Sequence, residues 1–132
     1  MIIYDRDDKL LCASEKIIRL WDFCDRKEQS PELITACESS IPVERVFVNK
    51  NSKSQAGNNL LVVVTNKDEW VLYKGRMDKH KEGNTSMHEN QKILCVEFDN
   101  ENTCFWLGTD KGLLICISVD TGQEIGSAYE VT

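Results

Sequence analysis

The sequence predicts an all-β protein built from small antiparallel sheets that repeat along the chain. The clearest sign is the stretch 93–122, where three short apolar runs are separated by the turn-forming segments 99–102 and 110–112. Runs of this length, bounded by turn residues, are typical of strands in a tight meander. Asp110 and Gly112 suit a hairpin because both tolerate unusual backbone angles. Since the runs are apolar at nearly every position, we expect neighbours to cover both faces of this sheet.

Two more strand pairs precede this stretch. An apolar run at 10–14 is followed by Ile-Ile-Arg-Leu-Trp-Asp at 17–22, and a run at 60–65 is followed by Glu-Trp-Val-Leu-Tyr-Lys at 69–74. Aligning Trp21, Tyr73 and Ile117 gives spacings of 52 and 44 residues, a period that suits one sheet per repeat. The sequence therefore predicts a single domain of three repeats, at about 1–42, 43–91 and 92–132.

These repeats resemble the WD40 family of β-propellers. The stretch 98–117 fits the family's repeat without a gap, because Phe98 ends one strand, Gly108 and Thr109 lie in the next, and 110–112 form the turn. Trp21 and Asp22 keep the family's Trp-Asp pair, whereas Ile117 and Ser118 replace it. The resemblance implies about three WD40-type blades forming an incomplete ring, with these structural repeat positions: Trp21, Asp22, Tyr73, Phe98, Asp110 and Gly112.

The remaining segments are less regular. Residues 32–38 suit either an outer strand or a helical turn opened by Pro31; 43–48 suits an inner strand, and 123–131 an outer one. The polar segments 49–59 and 77–91 are expected to be loops, the second standing where a regular outer strand belongs. We expect Trp21, Leu72 and Phe98 to be largely buried.

Charge and hydropathy limit the partners. With 16 basic and 22 acidic residues the net charge is −6, so strong direct nucleic-acid binding is not expected. An acidic surface suits solubility or a basic protein partner. The longest apolar run, 60–64, is far too short to span a bilayer, and no leader pattern follows Met1. We therefore expect an intracellular protein, in the nucleus, the cytoplasm or both, without membrane contact.

The six cysteines include no Cys-x-x-Cys pair, which a zinc site would normally need. Because Cys12, Cys95, Cys104 and Cys116 lie in apolar runs, we expect buried, reduced thiols without a metal. His80 and His88 are expected in solvated loops. His88 lies one residue out of register with the family's Gly-His dipeptide and is not assigned that structural role.

No motif for catalysis is found. The sequence contains no Gly-rich phosphate loop, nucleophile elbow or His-Glu-x-x-His pair, so neither enzymatic activity nor a cofactor is expected. Trp21, Trp70 and Trp106 could form a base-stacking platform, but their places in apolar strands favour packing between blades.

The resemblance implies a non-catalytic scaffold that mediates protein–protein interaction in a larger complex. Within the family, the order of features is similar to the propeller subunit of tRNA (guanine-N7) methyltransferase, which implies a methyltransferase subunit as partner and a role in tRNA processing. A receptor that recognises a modified peptide, and a truncated product without independent function, are the alternatives.

Three blades in a row leave two apolar faces uncovered. Either another copy or another protein completes the ring, or the chain is a partial product of a longer sequence. The place of Met1 inside the first predicted strand and the end of the chain soon after Val131 favour the partial product. In either case the isolated chain should not behave as a stable, well-dispersed monomer.

Overall fold

The computed structural model describes residues 2–6, 9–22, 32–49 and 60–130. In these ranges the chain is all-β, with three four-stranded antiparallel sheets and one short 3-10 turn, Ser86–His88. Each sheet takes four strands that are consecutive in sequence and adjacent in space. The predicted fold class, WD40-type β-propeller blades, is confirmed in this architecture.

The three sheets are named blades 1 to 3. Blade 1 contains β1 (Ile2–Arg6), β2 (Lys9–Ser14), β3 (Ile17–Asp22) and β4 (Glu32–Glu38). Blade 2 contains β5 (Arg45–Val48), β6 (Leu61–Asn66), β7 (Glu69–Lys74) and β8 (Asp78–Asn84). Blade 3 contains β9 (Ile93–Phe98), β10 (Cys104–Thr109), β11 (Leu113–Ser118) and β12 (Tyr129–Glu130). The first strands of the blades touch one another, β1 against β5 and β5 against β9, so they form the inner side of an arc.

Blade 2 is covered on both faces, which explains its continuous apolar strands. Along β6, Val62 and Val64 enter a core shared with blade 1, whereas Leu61 and Val63 enter a core shared with blade 3. All four side chains are at most 2% exposed. A strand buried on both faces has no reason to alternate apolar with polar residues.

Blade 3 is covered on one face only by the described part of the chain. Phe105, Leu107, Ile115 and Ile117 pack against blade 2, but Leu114 on the opposite face is 37% exposed. Within the described residues, one face of the stretch 93–122 is covered, and the open face expected beside the third repeat is present. The apolar pattern shows that both faces of this sheet can be buried. Among the described blades, blade 2 packs on one face and none packs on the other.

Two segments with ambiguous or polar sequences are regular strands. Residues 32–38 form β4 and not a helical turn, pairing with β3 from Ile17↔Glu38 to Asp22↔Glu32. The charged segment expected to be a loop contains β8, which pairs with β7 over its whole length. An outer strand takes its backbone hydrogen bonds from its neighbour, so its side chains can stay polar.

Three other boundaries differ from expectation. The inner strand predicted at 43–48 begins at Arg45. Of the outer strand predicted at 123–131, the two residues of β12 and one bridge, Ile117↔Glu124, are formed. Asn49 is 1% exposed and its Oδ1 accepts a hydrogen bond from the Leu61 amide at 2.9 Å, so it is part of the core and not of a polar loop. The rest of that predicted loop, 50–59, lies outside the described residues.

Across the described ranges, the structure contains no helix with the length and apolarity that a membrane crossing requires.

Candidate interaction surfaces

Every blade has two faces, named here by the direction of the chain. The leading face is turned toward the preceding blade and the trailing face toward the following one. On β7, Val71 and Tyr73 lie on the leading face, in the core with blade 1, whereas Trp70 and Leu72 lie on the trailing face, in the core with blade 3. The same alternation continues in blade 3, where Ile115 lies on the leading face.

Three of the repeat positions lie in or beside the β3 and β7 strands. Tyr73 is 2% exposed, and its hydroxyl oxygen accepts a hydrogen bond from the Ser40 amide at 3.3 Å. Trp21 holds the equivalent place on the leading face of blade 1. It is half-buried, and none of the described blades packs on that face. Asp22 is the last residue of β3 and pairs through its backbone with Lys9 and Glu32.

The other three repeat positions lie in blade 3. Phe98 is half-buried, with its ring centroid 5.8 Å from that of Phe105. The Oδ1 of Asp110 accepts a hydrogen bond from the Lys92 amide at 3.0 Å, and Gly112 has φ +84°. Of the three residues expected to be largely buried, Leu72 is at 0% exposure, whereas Trp21 and Phe98 are half-buried.

No described blade packs on the trailing face of blade 3, where several apolar side chains are exposed although Cys116 is buried. Trp106 from β10 lies 5.9 Å, centroid to centroid, from Tyr129 of β12, whose side chain is 62% exposed. Leu114 stands beside them on β11, directly opposite Tyr129. The exposed thiol of Cys95 lies over Gly108, where any Cβ would clash with its sulfur. Trp106, which is expected to pack between blades, lies on this face, and none of the described blades packs against it.

Two thiols of this face lie on adjacent strands. Burial first, and then the neighbouring Cys116 thiol, raise the pKa of Cys104 to about 11. A thiol with such a pKa stays protonated and unreactive at neutral pH. The described cysteines, Cys12, Cys37, Cys95, Cys104 and Cys116, form no disulfide with one another; Cys24 lies outside the described residues.

Among the residues with described side chains, none packs on the leading face of blade 1, which is the second uncovered surface. It carries Trp21, Ile17 and the exposed Arg19 from β3, with Leu33 of β4 paired to Trp21 and 47% exposed. Arg19 holds the strand position that Val71 takes in blade 2, and the side chain of Val71 is fully buried. The guanidinium thus stands where another blade would bring apolar side chains.

A third surface, the rim patch, consists of Met87, His88, Glu124 and Ile125. The Nε2 of His88 lies 3.0 Å from both carboxylate oxygens of Glu124, which joins blade 2 to blade 3. The flanking apolar side chains are open to solvent, Met87 by 86% and Ile125 by 49%. His88, expected in a solvated loop, is about one-fifth exposed and holds this contact, while His80 lies half-buried within β8.

Hydrogen bonds from three residues fix the loop between blades 2 and 3. The Oε1 of Gln91 accepts from the Thr109 hydroxyl at 2.6 Å, while the Thr85 hydroxyl donates to the Gln91 carbonyl at 2.7 Å. Arg45 donates from Nη1 to the Leu94 carbonyl at 2.6 Å. Gln91 is not among the residues predicted from the sequence, and the signal that points to it is its place two residues before an inner strand.

Among the residues with described positions, no three His, Cys, Asp or Glu side chains are grouped to hold a metal ion.

Comparison with known proteins agrees with this architecture. No family model matches the sequence, and no curated protein matches it. Among solved structures, Sqt1 from Saccharomyces cerevisiae is similar with a TM-score of 0.69 at 12% identity, over 99% of this chain and 38% of that one. The C-terminal WD40 domain of Sif2 gives 0.63 at 15% identity, over 95% and 34%. KlHsv2 with its loop 6CD replaced by a Gly-Ser linker gives 0.54 at 10% identity, over 100% and 54%.

These likenesses define the class by its fold: the chain forms three consecutive blades of the WD40-type β-propeller architecture. It spans little more than a third of the length of the Sqt1 and Sif2 chains.

Proposed function

We propose that this protein is a non-catalytic WD40-type scaffold, which holds a protein partner within a larger complex. The observation that carries the proposal is Met87, an apolar side chain 86% exposed on a loop of fixed shape. Propellers of this architecture generally serve as rigid platforms, and the likeness to WD40 structures supports the same use here.

The loop around Met87 is organised before any partner arrives. The amides of His88 and Asn90 both donate to the Thr85 carbonyl, at 2.8 and 3.0 Å. The His88–Glu124 contact then ties the loop to blade 3. A surface that is already ordered loses little conformational entropy on binding, and a methionine adapts its shape to the partner.

Affinity purification with matched variants tests the scaffold. The tagged chain, a Met87→Asp variant and a Met87→Leu control are purified from extract of the source cells. We expect one partner in stoichiometric amount with the unaltered chain and with Met87→Leu, and its loss with Met87→Asp. Equal recovery with Met87→Asp, or no stoichiometric partner at all, would contradict the proposal.

More specifically, we propose that the partner is the catalytic subunit of a tRNA (guanine-N7) methyltransferase, with the complex in the nucleus or the cytoplasm. The order of repeats and insertions in the sequence supports this, and the net charge of −6 suits a basic, tRNA-binding partner. Mixing with the purified catalytic subunit should give a stable complex with increased methylation of tRNA. A gel-filtration profile with two separate proteins would show that the partner is another one.

A further inference from the structure

We propose that Ser86 is a phosphorylation site, at which an acidophilic serine kinase places a phosphate beside Met87 and closes the rim patch to its partner. The site lies in the loop between blades 2 and 3, inside the described range 60–130. The modification depends only on the residues of this loop, whereas its effect on binding rests on the scaffold role proposed above.

Of the two adjacent hydroxyl residues in this loop, Ser86 is the one that a kinase can reach. Thr85 is 1% exposed, and its hydroxyl donates to the Gln91 carbonyl at 2.7 Å. Ser86 is exposed, and within the described part of the chain its hydrogen bond is made by the amide, to Oδ1 of Asn84 at 2.9 Å. The Ser86 hydroxyl can therefore turn a lone pair toward a phosphorus atom without breaking a contact of the fold.

A carboxylate stands three residues after this hydroxyl, at the spacing that acidophilic serine kinases select. Glu89 follows the 3-10 turn Ser86–His88 directly and is exposed, and no described residue forms an ion pair with it. The amides of His88 and Asn90 donate to the Thr85 carbonyl at 2.8 and 3.0 Å, which holds hydroxyl and carboxylate in one compact turn. A basic cluster on a kinase recognises such a carboxylate through charge-assisted hydrogen bonds.

Two other exposed hydroxyl residues have a glutamate at the same spacing, and their surroundings differ. Thr121 precedes Glu124, whose carboxylate is already engaged in the rim patch. Ser127 precedes Glu130, which belongs to β12 and pairs with β11. Ser86 combines an available hydroxyl, an available carboxylate and a place next to the exposed apolar side chain of the rim patch.

The transfer requires a nucleoside triphosphate as co-substrate. The Oγ of Ser86 attacks the γ-phosphorus, and a bond forms between these two atoms. The bond from that phosphorus to the bridging oxygen breaks, so that the nucleoside diphosphate leaves, while a carboxylate of the kinase accepts the hydroxyl proton. This chain contributes the acceptor oxygen and the recognition carboxylate.

The phosphate changes the charge of the rim patch. It adds about −1.5 to −2 charges at neutral pH, directly beside Met87 and in a loop that already carries the carboxylate of Glu89. A partner that buries Met87 would have to remove water from this dianion as well, which is strongly unfavourable without a compensating cation. Phosphorylation therefore weakens binding of an apolar partner surface at this loop.

Treatment of the purified chain with a kinase of the acidophilic casein kinase type and Mg-ATP tests the site, with mass spectrometry of peptides as the readout. We expect one phosphate on Ser86 and none on the same peptide of Ser86→Ala. Glu89→Gln should be labelled about tenfold more slowly, because it loses a charge-assisted contact with the kinase. Ser127→Ala and Glu130→Gln are the matched controls, and both should leave labelling of Ser86 at its original rate.

Circular dichroism verifies that the variants keep the β-fold, as expected for changes at exposed side chains. The absence of phosphate from Ser86, or labelling that Glu89→Gln leaves at full rate, would overturn the assignment.

Affinity purification then separates the effect of the phosphate from the scaffold role. The samples are the tagged chain before kinase treatment, after it, and after removal of the phosphate by a phosphatase, together with kinase-treated Ser86→Ala. We expect the partner in every sample except the phosphorylated chain. Equal recovery with the phosphorylated chain would overturn the closing of the rim patch. A partner missing from all four samples would contradict the scaffold role and the regulation with it, whereas the mass spectrum alone decides the phosphorylation site.

Discussion

Trp70 of blade 2 meets Phe105 of blade 3 edge to face, with ring centroids 5.2 Å apart and planes at 78°. Trp70 is 2% and Phe105 0% exposed. The two rings join neighbouring blades at the middle of their shared core, and such a T-shaped pair contributes more than its buried area alone.

Replacement of Trp70 by Ala should therefore cost about 3–5 kcal/mol in the free energy of unfolding, as for other large aromatic side chains removed from cores. Urea denaturation of the chain and the variant measures the difference. Met87→Ala, at a side chain 86% exposed, serves as the control and should stay within about 0.5 kcal/mol. Equal stability of Trp70→Ala and the unaltered chain would show that blades 2 and 3 do not share this core.

Gly83→Ala should also destabilise the protein, by about 1–3 kcal/mol. Gly83 pairs with Trp70 across β7 and β8, and a Cβ at this glycine would lie 2.7 Å from Cζ2 of the indole. Alanine usually strengthens a strand relative to glycine, so the sign of the effect is diagnostic. In a Trp70→Phe background the added methyl group has more room, and a double-mutant cycle should show a smaller cost there. Identical costs in both backgrounds would refute the clash.

Asp99→Asn should lower stability by about 0.5–1.5 kcal/mol near neutral pH. Burial alone would raise the pKa of Asp99, but hydrogen bonds from Thr103 and Cys104 outweigh it and hold the pKa below its usual value. The carboxylate accepts from the Thr103 amide at 2.7 Å and from its hydroxyl at 2.6 Å. Because the folded pKa is the lower one, this stabilisation is present above the unfolded value of about 3.9 and is lost as the pH falls through the folded pKa.

The difference between Asp99→Asn and the unaltered chain should accordingly shrink below about pH 4. Denaturation midpoints measured across a pH series provide the check. A difference that grows in acid would mean that the hydrogen bonds do not favour the charged form of Asp99.

Cys104 should react slowly with iodoacetamide at about pH 8, because its pKa of about 11 leaves almost no thiolate. Cys95 on the same face is exposed and should be alkylated first. Mass spectrometry of peptides from the alkylated chain is the measurement. Faster labelling of Cys104 than of Cys95 would contradict the burial of the Cys104 thiol.

Local features were predictable from the sequence because local chemistry determines them. The turn at Asp110 and Gly112 lies where expected, since the φ of +84° at Gly112 suits a residue without Cβ. The strands that became β6 and β7 were recognised from short apolar runs bounded by polar residues. Such patterns report the turn geometry and the capacity of a segment to be buried.

Contacts made across the fold were not predictable. The charged strand β8 has no apolar pattern of its own and receives its backbone partners from β7. His88 was expected in solvent, but its partner Glu124 lies 36 residues further along the chain. Similarly, Asn49 follows β5 and looks like the start of a polar loop, yet it is 1% exposed and its Oδ1 accepts a hydrogen bond from the Leu61 amide.

The sequence by itself determined that the chain forms small apolar sheets with tight turns, because strand length, side-chain type and turn residues act over a few positions. Only the tertiary structure decided which faces these sheets cover. Val63 and Trp106 hold the same strand position on trailing faces, yet Val63 is at 0% exposure and Trp106 remains half-open. Blade 3 packs on the face that carries Val63, whereas none of the described blades packs on the face that carries Trp106. Burial of either side chain depends on such a neighbour, which no local sequence pattern supplies.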